Sequence, residues 1–366
     1  MEGPPGPEVI LNGKKVLYFA GTDYFQLHAH PDLQSKAADA LWTYGMSSAT
    51  SRSLTGTTPL LKELEEAIAR FYDTEDAIYL PSGYLTNHAG LSALGELDRY
   101  DVIFMDEDAH DSLREAARAT GNQVVLFESG NLDDLSLKLS VHAGRKIRPL
   151  IATDGVFPAR GVIAPLDRYL ELTDKHGGVV WIDDAHATGI LGETGKGTCE
   201  FLGLDSPRIF YGSTLSKAIG AYGGMIPGDS EFVCTVRSGS VATGSNSPLS
   251  AAMAASLRGL ELLQKHPEWR KKLQENVTYF RKSLESIRIY TGHSILPIIA
   301  FRAGSSQEML RVQQQLMREG IYIQYTRYRG SGKEGILRIV LFSTHSREQM
   351  DRLLEALDRH VDRFNR

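Results

Sequence analysis

The sequence predicts an α/β fold: a mostly parallel sheet covered by helices on both faces, followed by a smaller α+β region. Three observations carry this. Five short runs are almost wholly apolar, helical patterns separate them, and the pattern changes near residue 248. Strands buried on both faces read as continuous apolar runs, and strands alternating with helices build parallel sheets.

The runs are Ala77-Ile78-Tyr79-Leu80, Val102-Ile103-Phe104-Met105, Val124-Val125-Leu126-Phe127, Leu150-Ile151-Ala152-Thr153 and Val179-Val180-Trp181-Ile182. Helical patterns at 60–71, 111–119 and 166–176 lie between them. Beyond residue 248 come helical stretches at 248–263 and 269–287, an extended run at 295–301 and a helix at 306–319. Two more extended runs (321–325 and 336–342) and a last helix at 347–364 complete the chain.

At 366 residues and 42% hydrophobic, the chain can bury a large core and suggests two domains. A net charge of −5 and the absence of a Lys/Arg block argue against nucleic acid as a partner. Cys199 and Cys234 form no close-spaced pair, which points to a reducing compartment. Neither a signal-peptide pattern nor a run of the ~20 apolar residues a membrane helix needs is present, so a cytoplasmic protein is expected. Metal-ligand spacings are absent too, and no metal is expected.

Two stretches carry the chemistry. The run ending in Ile182 leads into Asp183-Asp184-Ala185-His186, and further on stands Ser213-Thr214-Leu215-Ser216-Lys217. Ligands of open α/β sheets sit outside the carboxyl ends of strands, where Asp183 falls. A lysine amine that forms a Schiff base and a carboxylate that keeps a ring nitrogen protonated are what pyridoxal phosphate (PLP) chemistry needs. Lys217, among hydroxyls and followed by Gly220, Gly223 and Gly224, suits the first task; Asp183 suits the second. His186 would reach the cofactor's phenolic oxygen. His110, just past another strand, would stack on the ring. Ser82-Gly83-Tyr84 reads as a strand-to-helix turn whose N–H groups bind phosphate, joined by Thr214. Taken singly, each residue has an ordinary alternative: Lys217 on the surface, Asp183 in a turn, His186 in a loop, His110 at a helix start, and 82–84 as a plain turn.

Taken in order, these motifs resemble the α-oxoamine synthases, a group of fold-type-I PLP enzymes. The likeness begins near Phe19 and runs to the C-terminus. It includes Thr22-Asp23-Tyr24-Phe25-Gln26-Leu27, Ser51-Arg52-Ser53 with Gly56-Thr57, Ser82-Gly83-Tyr84 with Asn87, and His110. Thr153-Asp154-Gly155-Val156-Phe157, Asp183-Asp184-Ala185-His186-Ala187-Thr188-Gly189, Gly192-Glu193-Thr194-Gly195-Lys196-Gly197, Thr214-Leu215-Ser216-Lys217 and Arg338 ahead of His345 follow.

The resemblance implies an aspartate-aminotransferase-like homodimer with active sites at the subunit interface. It implies an N-terminal arm (1–44) belonging to the small domain, a large PLP-binding domain (45–250), and an interdomain helix with a C-terminal small domain (251–366). The implied reaction joins an amino acid to an acyl thioester, acyl-CoA or an acyl carrier, and releases CO2. It assigns Arg338, Asp23 and Arg52 to the substrate, and Ser245 and Asn246 to the phosphate of the neighbouring subunit. The chain departs from the family at Pro158-Ala159-Arg160, where a serine-methionine-acid triplet is usual, and at Asp23, Leu61 and Ile336. Another fold-type-I activity, an aminotransferase or a C–C lyase, shares the Asp–Lys pair. A binding protein without catalysis would have no need of Lys217.

Overall fold

The five apolar runs become five strands of a seven-stranded sheet, the other two being Ile209–Thr214 and Gly224–Gly228. Its order is Asp76–Leu80, Gly224–Gly228, Ile209–Thr214, Val179–Asp183, Pro149–Asp154, Val102–Asp106 and Gln123–Phe127. The last five of these run parallel, and Gly224–Gly228 is antiparallel to both its neighbours. Every residue of Val102–Asp106, Pro149–Asp154 and Val179–Asp183 is buried, so these strands show no alternation of polar and apolar residues. The computed structural model describes residues 1–143 and 147–361, and within them the chain forms two compact units. The sheet belongs to the larger, Pro31–Val156 with Ile163–Lys265.

Packing across this sheet is close. Trp181 is fully buried, and a Cβ added at Gly90 on the Tyr84–Glu96 helix would fall 1.9 Å from its ring. Only glycine lets helix and indole meet at that distance. Met105, Leu113, Ile78 and Phe232 belong to the same apolar cluster as Trp181.

The smaller unit holds Met1–His30, Phe157–Val162 and the chain from His266 onward. Ile336–Val340 is its central strand, between Ile298–Phe301 and Gln324–Thr326, both antiparallel to it. Helices Glu268–Ser286, Ser306–Arg318 and Arg347–His360 contribute to its core with Phe280, Val312 and Leu353, which cluster with Phe19, Leu337 and Leu341. Ser305 and Ser346 close capping boxes at the last two helices.

Several boundaries differ from the sequence expectation. Helix Pro31–Tyr44, within the expected N-terminal arm, and helix Ser250–Lys265, at the place of the expected interdomain helix, both fall in the larger unit. Arg258 pairs with Asp32 between these helices, and the Ser250 N–H donates to the Met46 carbonyl. The expected strand at 295–301 begins only at Ile298, after Pro297, which has no N–H for a ladder. The expected run at 321–325 is two strands. Ile321–Tyr322 pairs with Lys14–Tyr18, whereas Gln324–Thr326 joins the other sheet. Between them the Ile323 carbonyl accepts the Gln313 side-chain amide at 2.9 Å. Residues 362–364 of the last expected helix lie outside the described residues. The hairpin Glu8–Leu11 with Lys14–Tyr18 was not anticipated, although its two turn residues, Asn12 and Gly13, have φ of 50° and 72°. Among the described residues no helix is long and apolar enough to cross a membrane.

Candidate active site

Three neighbouring parallel strands end in a carboxylate: Asp106, Asp154 and Asp183, all buried. Asp154 and Asp183 are register partners on adjacent strands. The two are equipped differently. Asp183 accepts the Asn87 amide at 2.7 Å on Oδ2 and the Ala185 N–H at 3.1 Å on Oδ1. Asp154 accepts one N–H, from the His110 backbone at 3.2 Å, and its buried Oδ2 has no hydrogen-bond partner. Burial drives the Asp154 pKa well up, Asp183 and Asp106 add to the rise, and the Lys217 charge opposes it. Burial likewise lifts Asp106 to about 6. Of the register pair, Asp183 has the donors that suit an anion, and Asp154 is the member whose pKa burial raises.

Asn87, fully buried on the Tyr84–Glu96 helix, branches. Its Nδ2 donates to Asp183 and, at 2.9 Å, to the Ser112 hydroxyl, while its Oδ1 accepts the Trp181 indole N–H at 2.8 Å. Ser112 in turn lies 2.7 Å from Nδ1 of His110, the N-cap of helix Asp111–Ala119. The Tyr84 ring meets the His110 ring edge-on, centroids 6.2 Å apart, and its hydroxyl is tied to Glu115.

On the next strand, Thr214 is buried. Its hydroxyl donates to the Gly223 carbonyl at 2.9 Å and accepts the Ser216 N–H at 3.1 Å. A Cβ at Gly83 would lie 2.6 Å from this hydroxyl, so glycine is what allows the turn before the Tyr84–Glu96 helix to approach it. The Ser82 hydroxyl accepts the Tyr84 N–H at 3.2 Å. Lys217 and His186 are half-buried in the same unit. Asp184 serves the framework instead: it accepts the Thr198 N–H at 2.9 Å and the Thr198 hydroxyl. Ser245 and Asn246 are exposed, with Asn246 bridged to Ser51.

Arg52 departs from expectation. Its buried guanidinium is committed to Glu65 at 2.9 Å and to the Tyr79 carbonyl at 3.4 Å. It braces the strand Asp76–Leu80 through these contacts. Asp23 and Arg338 belong to the smaller unit. Asp23 Oδ1 accepts the Leu27 N–H at 2.9 Å and pairs with His28 at the same distance, which makes it a turn-former. Arg338 is buried and, among the described residues, meets no carboxylate. It donates through Nε to the Pro158 carbonyl at 2.9 Å and through Nη1 to Gln324 at 3.4 Å, and burial lowers its pKa. Proline in place of the family's serine loses a hydroxyl, but its carbonyl orients this arginine. Arg160 lies over the Phe157 ring, 5.5 Å from its centroid.

Asn87, Ser112, Trp181 and Asp154 were not among the site residues expected from sequence. Three lie close in sequence to an expected one, Asn87 in the first turn of the phosphate-turn helix, Ser112 two residues after His110 and Trp181 two before Asp183, whereas Asp154 stands at a strand end like Asp183.

These residues fit PLP. A buried carboxylate with fixed donors, an orphaned carboxyl oxygen beside it, a nearby lysine charge and a glycine turn against a buried hydroxyl are the parts that cofactor requires. Among the described residues no group of His, Cys, Asp or Glu could hold a metal ion.

Comparison with known proteins agrees. Residues 14–357 match the family aminotransferase class I and II. An 8-amino-7-oxononanoate synthase of Lysinibacillus sphaericus is 35% identical, covering 96% of this chain and 90% of its own. The 8-amino-7-oxononanoate synthase 1 of Bacillus subtilis is 32% identical, covering 98% and 91%. Among solved structures, a serine palmitoyltransferase of Sphingomonas wittichii superposes with a TM-score of 0.89 at 26% identity, covering 98% of this chain and 91% of that one. A high-resolution structure of SPT with PLP gives 0.90 at 25% identity, with the same coverage. The chain belongs to the aminotransferase class I and II family, and within it to the α-oxoamine synthases, PLP-dependent acyltransferases that condense an amino acid with an acyl thioester.

Asp154 gives a signed pH prediction. An acid whose folded pKa is raised keeps its proton where the unfolded chain, near 3.9, has lost it. Folding is therefore penalised increasingly as pH rises from about 4 toward the folded value. Asp154→Asn should melt a few degrees above wild type at pH 8, with the gap narrowing at pH 5, as read by calorimetry. Parallel pH profiles would show that Asp154 is ionised in the folded protein.

Proposed function

We propose that this chain uses acyl-CoA as its thioester, and that the α-carbon of a bound amino acid displaces CoA thiol from the acyl carbon. The amino acid's carboxylate leaves as CO2, giving an α-amino ketone. The observation that carries this reading is the Asp183 carboxylate, held by Asn87 at a strand end with Asp154 as its register partner on the next strand. The relatives' names support it, since 8-amino-7-oxononanoate is itself an amino ketone.

PLP, when bound, supplies an electron sink for the charge left at the α-carbon. Lys217 would anchor it through its amine, then serve as the base that takes the α-proton. Asp183 would hold the proton on the ring nitrogen. His110 would offer its flat imidazole to the ring face, and His186 would hydrogen-bond the phenolic oxygen. Thr214 and the turn Ser82-Gly83-Tyr84 would take the phosphate. Arg338, a buried cation whose partners among the described residues are neutral oxygens, would grip the amino acid's carboxylate with its planar fork. Asp23 already has its own turn to hold.

A homodimer belongs to this reading. Trp42, Met46, Leu54 and Leu249 are exposed apolar residues of the larger unit. They are linked through the Ser250–Met46 and Leu54–Ser51 backbone hydrogen bonds and the Ser51–Asn246 bridge. A patch of this kind suits a second copy, whose Ser245 and Asn246 would complete the phosphate site. Two unpaired cysteines, Cys199 and Cys234, suit a cytoplasmic location.

The test is free-thiol release from acyl-CoAs of graded length, screened against amino acids including alanine and serine. Release that needs both substrates is expected. Conversion of the amino acid to its keto acid without thiol release would instead mark an aminotransferase. Arg338→Ala should weaken amino-acid binding by about tenfold or more while the spectrum of the PLP-loaded protein alone stays unchanged. Wild-type affinity would place the carboxylate elsewhere. The double variant Trp42→Glu with Leu54→Glu should sediment as a monomer with weakened PLP retention; an unchanged dimer would reject the patch as the interface.

A further inference from the structure

The hydrogen bonds around Asn87 have only one consistent direction. An indole N–H can only donate, so the oxygen of the Asn87 amide must face Trp181, 2.8 Å away. Its NH2 group then faces the two remaining partners, Asp183 Oδ2 at 2.7 Å and Ser112 Oγ at 2.9 Å. Because Ser112 Oγ accepts from Asn87, its own hydrogen is released for His110 Nδ1, 2.7 Å away. The Ser112 backbone N–H points at the same nitrogen from 3.2 Å. Two donors converge on Nδ1, so Nδ1 carries no proton, and the neutral ring must bear it on Nε2.

From this geometry we propose that Asn87 and Ser112 are positioning residues. One amide orients the Asp183 carboxylate and, through the Ser112 hydroxyl, fixes His110 as its Nε2–H tautomer. The inference rests on the reading that Asp183 and His110 serve the cofactor, and it adds how they are set together. Trp181, Asn87 and Ser112 are buried, so solvent does not compete for these bonds. The chain runs Trp181 to Asn87 to Ser112 to His110, with a branch at Asn87 to Asp183. Fixing the amide at one end therefore fixes both the carboxylate and the imidazole. Tyr84, edge-on to the His110 ring, limits its tilt from another side.

The test reads the tautomer directly. Protein labelled with 15N-histidine is observed by long-range 1H–15N correlation, with and without bound PLP, and His110 is assigned by its loss in His110→Gln. The wild type should show an unprotonated Nδ1 and a protonated Nε2. Ser112→Ala and Asn87→Leu should each give a tautomer mixture, and Ser112→Thr, which keeps the hydroxyl, should restore the single form. Asn87→Leu should also raise the dissociation constant for PLP by about tenfold, from the loss of one hydrogen bond to a charged group. A wild-type His110 protonated on Nδ1 would overturn the proposal. So would wild-type tautomer and PLP affinity in both Ser112→Ala and Asn87→Leu. Failure of the wild type to take up PLP would instead remove the cofactor reading, since the tautomer is measured in cofactor-free protein as well. Should Asn87→Leu not fold, the wild-type spectrum and the Ser112 pair still decide.

Discussion

Everything at the strand ends depends on where the Asn87 side chain can go. It is wholly buried and ties its own helix to groups on two other elements: the Val179–Asp183 strand, which supplies both Trp181 and Asp183, and the start of helix Asp111–Ala119. A buried amide short of one partner is costly, so these elements are held to one arrangement. Gly90, one helical turn on, lets the helix settle onto Trp181 closely enough for the indole N–H to reach the amide oxygen. Packing comes first here, and the site's electrostatics follow from it.

The same strand ends gather buried acids that no ordinary core would keep. Asp106 and Asp184 are each lifted to about 6, and Asp154 is raised as well, by burial above all. Asp184 is stabilised by Thr198, whereas Asp154 keeps an oxygen without a partner. Local costs of this kind mark places where sequence and fold serve something other than stability. The smaller unit has its own instance in Arg338, a buried guanidinium facing a proline carbonyl and a glutamine. Arg281, also buried, donates through its two terminal nitrogens to the Thr291, Leu296 and Ile298 carbonyls and reads as a brace for its loop, although its Nε has no partner among the described residues.

Much of this was legible from the sequence. Buried parallel strands have no polar side to display, so their continuous apolar runs located five of the seven strands; Ile209–Thr214 and Gly224–Gly228, interrupted by glycine, proline or hydroxyl residues, carry no such run. The position of Asp183 at a strand end followed from the same pattern. Residues whose meaning lies in a partner far along the chain were harder to read. Nothing near Asn87 in sequence announces Trp181 or Ser112. Nothing in the Ser51-Arg52-Ser53 stretch announces that Glu65 takes the guanidinium. The assignment of helices Pro31–Tyr44 and Ser250–Lys265 to the larger unit likewise depends on their meeting each other. The Asn12-Gly13 turn is the opposite case: its signal was local and plain, and it was passed over beside a Gly/Pro-rich start.

The central claim is that Asp183, held in place by Asn87, would keep the proton on the cofactor's ring nitrogen. It is tested by exchange of an amino acid's α-proton for deuterium, followed by NMR with PLP-loaded Asp183→Asn beside wild type. The substitution keeps the size of the side chain and removes its charge. The account predicts that the variant retains PLP while exchange slows by a factor on the order of 10²–10³, the scale on which removal of a preorganised electrostatic partner acts. Exchange within a few-fold of wild type would contradict it.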